Sequence, residues 1–301
     1  MNDAGPLTIF VNPRAGAGKA GKQIENMEEE ARRLELRVVI VECRSAEEYA
    51  QKAQAAIATG ARSVAAMGGD GTLQVLARAA IGSGARIGVV PLGSGNDFAK
   101  ALGIGGWQQG LRAIAQGRCR AVDLVKVKFA DGHEAVYLGG GGVGLDANAA
   151  KLANERFSRL RGRVRYLAAA VTALAGFKGV EIAAEFPGTE EPAIQARVLL
   201  AGILNTPSYG GGLRLAPDAS IDDGKLDFVT LGMMSLAQVL AILPRLLMSG
   251  ELRTSHVKRW RTARIILRAP GDAWFHGDGE LLGKGSCEIA VLPRAIEVYA
   301  P

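Results

Sequence analysis

The sequence predicts an α/β protein in two parts: a helix-covered parallel sheet over residues 1–130, then a β-rich, antiparallel, sandwich-like domain over 131–301. Three observations predict it. Strand-like and helix-like patterns alternate through the first part, as in a parallel sheet buried on both faces. Beyond about residue 130, strand-like runs with apolar–polar alternation take over. Finally, 301 residues that are 48% hydrophobic and 22% charged suffice for two packed cores and argue against disorder.

Taken in order, apolar runs at Leu7–Val11, Leu36–Val41, Val64–Met67, Ile87–Val90 and Val122–Phe129 read as strands. Helical patterns lie between them at 18–34, 46–58, 72–80 and 96–117. Ser45, with Glu48 three residues on, is a capping-box start for the helix at 46. The second part offers strands at 135–138, 180–186, 194–204, 225–231, 257–268, 287–292 and 296–299, with helices near 164–176 and 235–249. No repeat or low-complexity linker separates the parts, so they are expected to pack with an active site in the cleft between them.

The net charge of +6 is modest and fits a nucleotide or an acidic membrane surface, but equally neither. Cys43, Cys119 and Cys287 are odd in number, far apart and without a CxxC, which suggests a reduced intracellular protein. The N-terminus shows no signal-peptide pattern, and no apolar stretch reaches the roughly 18 residues of a membrane span. A cytoplasmic location is the expectation. The histidines are few and scattered, against a zinc site or a Ser-His-Asp triad.

Glycine clusters carry the chemistry. Asn12-Pro13-Arg14-Ala15-Gly16-Ala17-Gly18-Lys19-Ala20-Gly21-Lys22 follows a strand and opens a helix, where amides and the helix dipole favour phosphate. Gly16-x-Gly18-x-x-Gly21 matches a dinucleotide fingerprint, with Glu42 ending the next strand, but Asn-Pro loosens the turn. Gly16-x4-Gly21-Lys22 approaches a P-loop, yet Gln23 replaces the metal-binding hydroxyl. A ligand-free glycine turn stays open for this cluster. Gly68-Gly69-Asp70-Gly71-Thr72 lets backbone approach an anion, with Asp70 placed for Mg²⁺, ribose or a phosphate-linked water and Thr72 as the helix N-cap. Replacing Asp70 by Asn is expected to weaken nucleotide binding and spare the fold. Plain turn chemistry remains the alternative. Pro91-Leu92-Gly93-Ser94-Gly95-Asn96-Asp97-Phe98-Ala99 again links strand to helix. All three clusters fall at strand C-termini, the ligand-binding edge of an open α/β sheet.

Gly-Gly-Asp-Gly-Thr followed by Pro-Leu-Gly-Ser-Gly-Asn-Asp-Phe-Ala resembles the diacylglycerol-kinase catalytic family, in its bacterial lipid kinase branch. Asn12-Pro13-x-x-Gly16, Asn205-x-x-x-Tyr209-Gly210-Gly211-Gly212, Ala216-Pro217-x-Ala219, Asp222-Asp223-Gly224-Lys225-Leu226-Asp227 and Asp278-Gly279-Glu280 extend the resemblance along nearly the whole chain. It implies ATP and Mg²⁺ as cofactors and a lipid hydroxyl as phosphoryl acceptor. The implied nucleotide contacts are Asn12, Pro13, Arg14, Ala15, Gly16, Cys43, Gly68, Gly69, Asp70, Gly71, Thr72, Leu73, Gln74 and Ser94, with Asn96 and Asp97 beside them. Cys43 stands where the family often has Thr, and Ser94 where Thr is usual. A structural Mg²⁺ is implied at Ser220, Asp223 and Lys225, the first and last through backbone carbonyls; a hairpin turn reads equally well there. Glu280 is implied as the base taking the acceptor proton, with Asp278 near the metal. Glycines on one side and Leu281-Leu282 on the other place Glu280 at the rim of a dry pocket, a hairpin tip being the alternative.

The implied partner is a lipid met at a membrane surface; nucleic acid is not expected, and a homodimer is one open option. Arg156, Arg159, Arg161, Arg163 and Arg165 could touch anionic lipid or form a solvated face. Rival readings are an NAD-kinase-like enzyme with a soluble acceptor, an NAD(P)-dependent oxidoreductase using Gly16–Gly21, and a nucleotide sensor without turnover.

Overall fold

The computed structural model describes residues 5–13, 15–93, 95–155, 169, 172–174, 176–210, 212–235, 237–239, 241–242 and 254–301. The Arg156–Arg165 stretch, Arg14, Ser94 and most of the helices expected at 164–176 and 235–249 lie outside them. The chain divides into two units, residues 1–122 with Arg294–Pro301, and Asp123–Pro293. The chain end thus returns to the first unit, where a single cut at 130 places it in the second.

In the first unit, β1 (Leu7–Val11) pairs in parallel with β2 (Val38–Glu42) and with β3 (Ser63–Gly68), and β3 pairs with β4 (Arg86–Pro91). The last residues of β15 (Cys287–Tyr299) add to β4, Glu297 opposite Arg86. β3 is flanked on both sides and buried along its length, which is why it reads as a continuous apolar run. Side chains such as Ile9, Met67 and Leu111 form the core, each contributing roughly 1.5–3 kcal/mol on burial.

The helices break where glycine intervenes. The helix expected at 18–34 is two: α1 (Ala15–Lys22) and α2 (Ile24–Arg33). α1 begins at Ala15, so Ala15 and Gly16 lie in its first turn rather than in a loop. Its composition, AGAGKAGK, is poor in helix propensity, and Gly18 sits at φ 85°. α3 (Ala46–Ala58) starts as the capping box requires: Ser45 Oγ accepts Glu48 N–H at 3.1 Å. The Glu48 carboxylate accepts from Arg44 N–H rather than from Ser45. α4 (Asp70–Ala80) follows β3. The pattern at 96–117 splits into α5 (Asp97–Ala101) and α6 (Trp107–Gln116), because Gly103 turns left-handed at φ 84°.

In the second unit the sheet is antiparallel. β5 (Cys119–Phe129) enters it and pairs with β6 (Glu134–Tyr137). The path then runs β14 (Glu280–Lys284), β13 (Trp274–Gly277), β7 (Gly140–Gly144), β9 (Ile194–Leu204), β8 (Val180–Glu185), β12 (Arg264–Arg268) and β15. β10 (Leu226–Gly232) branches from β9 and pairs with β11 (Val257–Thr262). The run 257–268 is therefore two strands, parted at Ala263, and the runs at 287–292 and 296–299 are one strand carrying a positive-φ Arg294. β7, β13, β14 and α7 (Leu145–Glu155) escape the sequence reading. β7 reads GGGVG, and glycine is depleted in strands. Here it is required, since a Cβ on Gly142 would collide with the Ala201 carbonyl of β9.

Candidate active site

The loops after β1, β3 and β4 lie side by side because these strands are neighbours. Asn12 N–H donates to Met67 O at 3.4 Å, and Leu92 and Gly93 N–H both donate to Gly68 O, at 2.8 and 3.1 Å. Gly69 and Gly93 pack backbone to backbone: a Cβ on Gly93 would lie 2.5 Å from the Gly69 Cα. A Cβ on Gly68 would meet the Thr72 hydroxyl at 2.6 Å. These glycines are thus set by close packing as well as by any ligand.

α4 begins at Asp70, with extended Gly69 as N-cap and no side chain on the cap. Thr72 is therefore inside the first turn and not the cap. A first turn capped only by glycine presents amides and the positive end of the dipole, a place for phosphate. Asp70 does something the sequence does not announce. Its two carboxylate oxygens accept the N–H groups of Asp97 and Phe98, both at 3.2 Å, so it caps α5 from another loop. Asn96, left-handed at φ 54°, closes its own loop by accepting from Gly93 N–H and donating to Gly93 O. Asp97 lies 3.7 Å from the Lys100 ammonium.

Some expected contacts point inward. Leu73 and Gln74 are buried in the unit. Cys43 N–H donates to Val11 O at 2.9 Å at the sheet edge, but its thiol is buried, turns back to Val41 O and is raised by that burial. Pro13 O accepts Gly21 N–H and fixes α1. Gly71, like Thr72, lies in the first turn of α4.

In the second unit, β13 and β14 form a hairpin whose tip is Asp278-Gly279, at φ 50° and 86°. Both residues of the turn are left-handed, as a two-residue hairpin demands. The Asp278 carboxylate accepts three amides, from Leu138 at 2.7, Gly139 at 2.9 and Gly140 at 3.1 Å. Burial raises its carboxyl above the ordinary range, opposed by those amides and by His276. Asp278 thus anchors the hairpin. Glu280 follows it as the first residue of β14 and is exposed. On the same hairpin, His276 Nε2 lies 2.9 Å from Asp146 Oδ2, which also accepts the Tyr209 hydroxyl at 3.1 Å.

The Ser220–Lys225 turn satisfies itself. Ser220 Oγ donates to Asp222 at 2.7 Å and Lys225 N–H to Asp223 at 2.9 Å, while Arg261 pairs with Asp223. Buried Asp123 accepts Gly224 N–H at 2.7 Å. Burial pushes Asp227 up to about 6, with Arg261 opposing and Asp223 and Asp218 adding repulsion. Among the described residues no group of three or more His, Cys, Asp or Glu could hold a metal. Asp223, the one carboxylate in the expected set, meets Lys225 N–H through one oxygen and the Arg261 guanidinium through the other.

The sequence matches the model of the diacylglycerol kinase catalytic domain over residues 6–127 and that of the YegS C-terminal NAD kinase beta sandwich-like domain over 140–300. This chain belongs to the diacylglycerol kinase family. Within it, the chain is a lipid kinase of the bacterial YegS-like type. It is 28% identical over 305 residues to a diacylglycerol kinase of Mycobacterium tuberculosis, covering 100% of this chain and 96% of that one. It is 30% identical over 300 residues to a probable lipid kinase YegS-like of Yersinia enterocolitica, covering 98% and 96%. A diacylglycerol kinase structure from Bacillus anthracis str. Sterne shares the fold at TM-score 0.71 and 16% identity, over 100% of this chain and 98% of that one. An Archaeoglobus fulgidus NAD kinase in complex with ATP does so at 0.52 and 13%, over 97% and 93%.

Sequence reasoning missed several residues that organise this kinase: Asp123, Asp146, Asn205 as a pin, and His276. Asp123 had a signal, a carboxylate inside the apolar strand run Val122–Phe129. Asn205 donates to Asp123 O and Leu138 O, 82 and 67 residues away, pairings that no local pattern encodes.

Proposed function

We propose that this lipid kinase transfers the γ-phosphoryl group of ATP to a lipid hydroxyl and needs Mg²⁺ for it. The observation that carries the reading is the interlocked set of glycine loops after β1, β3 and β4, with the glycine-capped start of α4 among them. Such a set suits a polyphosphate, whose oxygens meet main-chain amides where a Cβ would intrude. In this reading Asn12, Gly68, Gly69, Gly71 and Thr72 surround the phosphates, and Asp70 shapes the site by joining its loops. Mg²⁺ would travel with the nucleotide and neutralise charge on the phosphate oxygens. No helix among the described residues is long and apolar enough to cross a membrane, so the acceptor would be met at a surface.

Glu280 is the proposed base. Exposed as the first residue of β14, directly after the hairpin turn, it can be reached by an acceptor from outside. A positioned carboxylate typically contributes on the order of 10²–10⁴-fold. The test is transfer of label from ATP to a lipid panel of diacylglycerol, phosphatidylglycerol and a sphingoid base, with NAD as a soluble acceptor. Glu280→Gln should lose about that factor in kcat with ATP binding unchanged. Full activity in excess EDTA would refute the Mg²⁺ requirement. Labelling of NAD alone would move the chain to the soluble-acceptor reading, which the NAD kinase likeness of the fold keeps open.

A further inference from the structure

Outside the glycine loops and the Asp278 anchor, the second unit contains a buried polar cluster that the proposed chemistry does not use. His276 is 3% exposed. Its Nε2 lies 2.9 Å from Asp146 Oδ2, and the Tyr209 hydroxyl donates to the same oxygen at 3.1 Å. The Tyr209 and His276 rings stack with centroids 6.1 Å apart and planes 21° apart. The other Asp146 oxygen accepts Ala147 N–H at 2.9 Å, in the first turn of α7. A carboxylate oxygen accepts only, so His276 must carry its proton on Nε2.

The second ring nitrogen, Nδ1, is buried and has no hydrogen-bond partner among the described residues. Burying a polar atom without a partner is unfavourable. An apolar ring of similar shape would avoid that cost and could keep the stack on Tyr209, but would leave Asp146 without this donor. What the histidine supplies that an apolar ring cannot is a donor to Asp146. The bond to Asp146 does something that packing would not.

Its place in the hairpin shows what. The β13–β14 register shifts between Phe275 and His276, so the strand is irregular at this residue. Such a shift lets a strand twist and leaves its tip free to tilt. Two anchors act against that freedom. Asp278 ties the tip to Leu138–Gly140, and Asp278 N–H donates to Gly140 O at 2.8 Å. His276 ties the strand just before the tip to α7 through Asp146. Glu280 begins β14 directly after the turn, so its direction follows from both.

We propose that His276 is a positioning residue for Glu280, held by Asp146 and Tyr209. The inference rests on the reading of Glu280 as the base. Loss of the His276 anchor should lower kcat by roughly 10-fold and up to about 10²-fold, as a small misplacement of a reacting group can. The KM for ATP should stay unchanged.

The experiment is a double-mutant cycle in the lipid phosphorylation assay. His276→Phe should lower kcat in the parent and cause no further loss in the Glu280→Gln background. His276→Gln, whose amide can still donate to Asp146, should restore much of the rate. An equal loss in both backgrounds, or an unchanged kcat, overturns the inference. If His276→Phe does not fold, Tyr209→Phe takes its place; it keeps the stacked ring and removes one donor to Asp146. A loss of a few-fold that vanishes in the Glu280→Gln background then supports the inference, and an additive loss overturns it. If Glu280→Gln is inactive while the anchor variants keep full rate, only this inference falls. If Glu280→Gln itself keeps its turnover, the assignment of the base falls with it.

Discussion

The two units hold their polar site residues in different ways. In the first, Asp70 reaches amides 27 and 28 residues away, from one βα loop to the next. In the second, Asp278 reaches amides 138 to 140 residues away, and Asp123 one 101 residues away. A parallel βα sheet gathers its loops at one edge by topology, so site residues lie on short local segments. An antiparallel sheet with long crossings gathers them by packing. The first kind of site tolerates local change while its sheet stands. The second depends on single long-range pins.

The largest break in that comparison should come from Asp278→Ala. It leaves the Leu138, Gly139 and Gly140 amides without their acceptor, at a cost of about 3 kcal/mol or more. Buried thiols report on the units separately. Cys287 is buried and pushed up to about 12 by that burial, and Cys43 is buried in the first unit. Pulsed alkylation under mild denaturant should expose Cys287 early in Asp278→Ala, with Cys43 still protected. Simultaneous labelling of both thiols would show one cooperative unit and erase the contrast.

Gly93→Ala comes next. Its Cβ would lie 2.5 Å from the Gly69 Cα, so backbone must shift, and overpacking of this kind costs about 1–3 kcal/mol. Nucleotide affinity should fall with the melting temperature, and Cys43 should become the earlier thiol to react. A variant with normal ATP binding would show that the two loops move independently.

Asp70→Asn should cost about 1 kcal/mol, because the amide keeps one acceptor oxygen for the two α5 amides. The fold is expected to stay intact, with a modest loss of stability beside the weakened nucleotide binding. Calorimetry and ATP titration on one sample check it: reduced binding at unchanged stability would return Asp70 to a purely ligand-contacting role.

The smallest effect is expected at Asp223→Ala. Its pair with Arg261 is partly exposed, and such pairs are worth about 0–1 kcal/mol. A larger loss that EDTA reproduces in the parent chain would reveal a metal at this turn.

The two-part architecture, most strands of the first sheet, the Ser45 cap and the glycine loops were legible in the amino-acid order alone. These rest on local rules: periodicity, capping chemistry, and glycine where backbone comes close. That order also marked Glu280 and Asp278 through a resemblance carried by short motifs. That GGGVG is a strand emerges from the folded chain, because its glycines answer to the backbone of β9 and not to β propensity. The packing of distant segments likewise makes Asp70 cap a helix it does not belong to and turns Asp223 toward Arg261. The same packing joins His276 to Asp146, 130 residues away. A hydrogen bond between distant residues depends on which strands become neighbours, and that is settled by the packing of the whole unit, not by any segment.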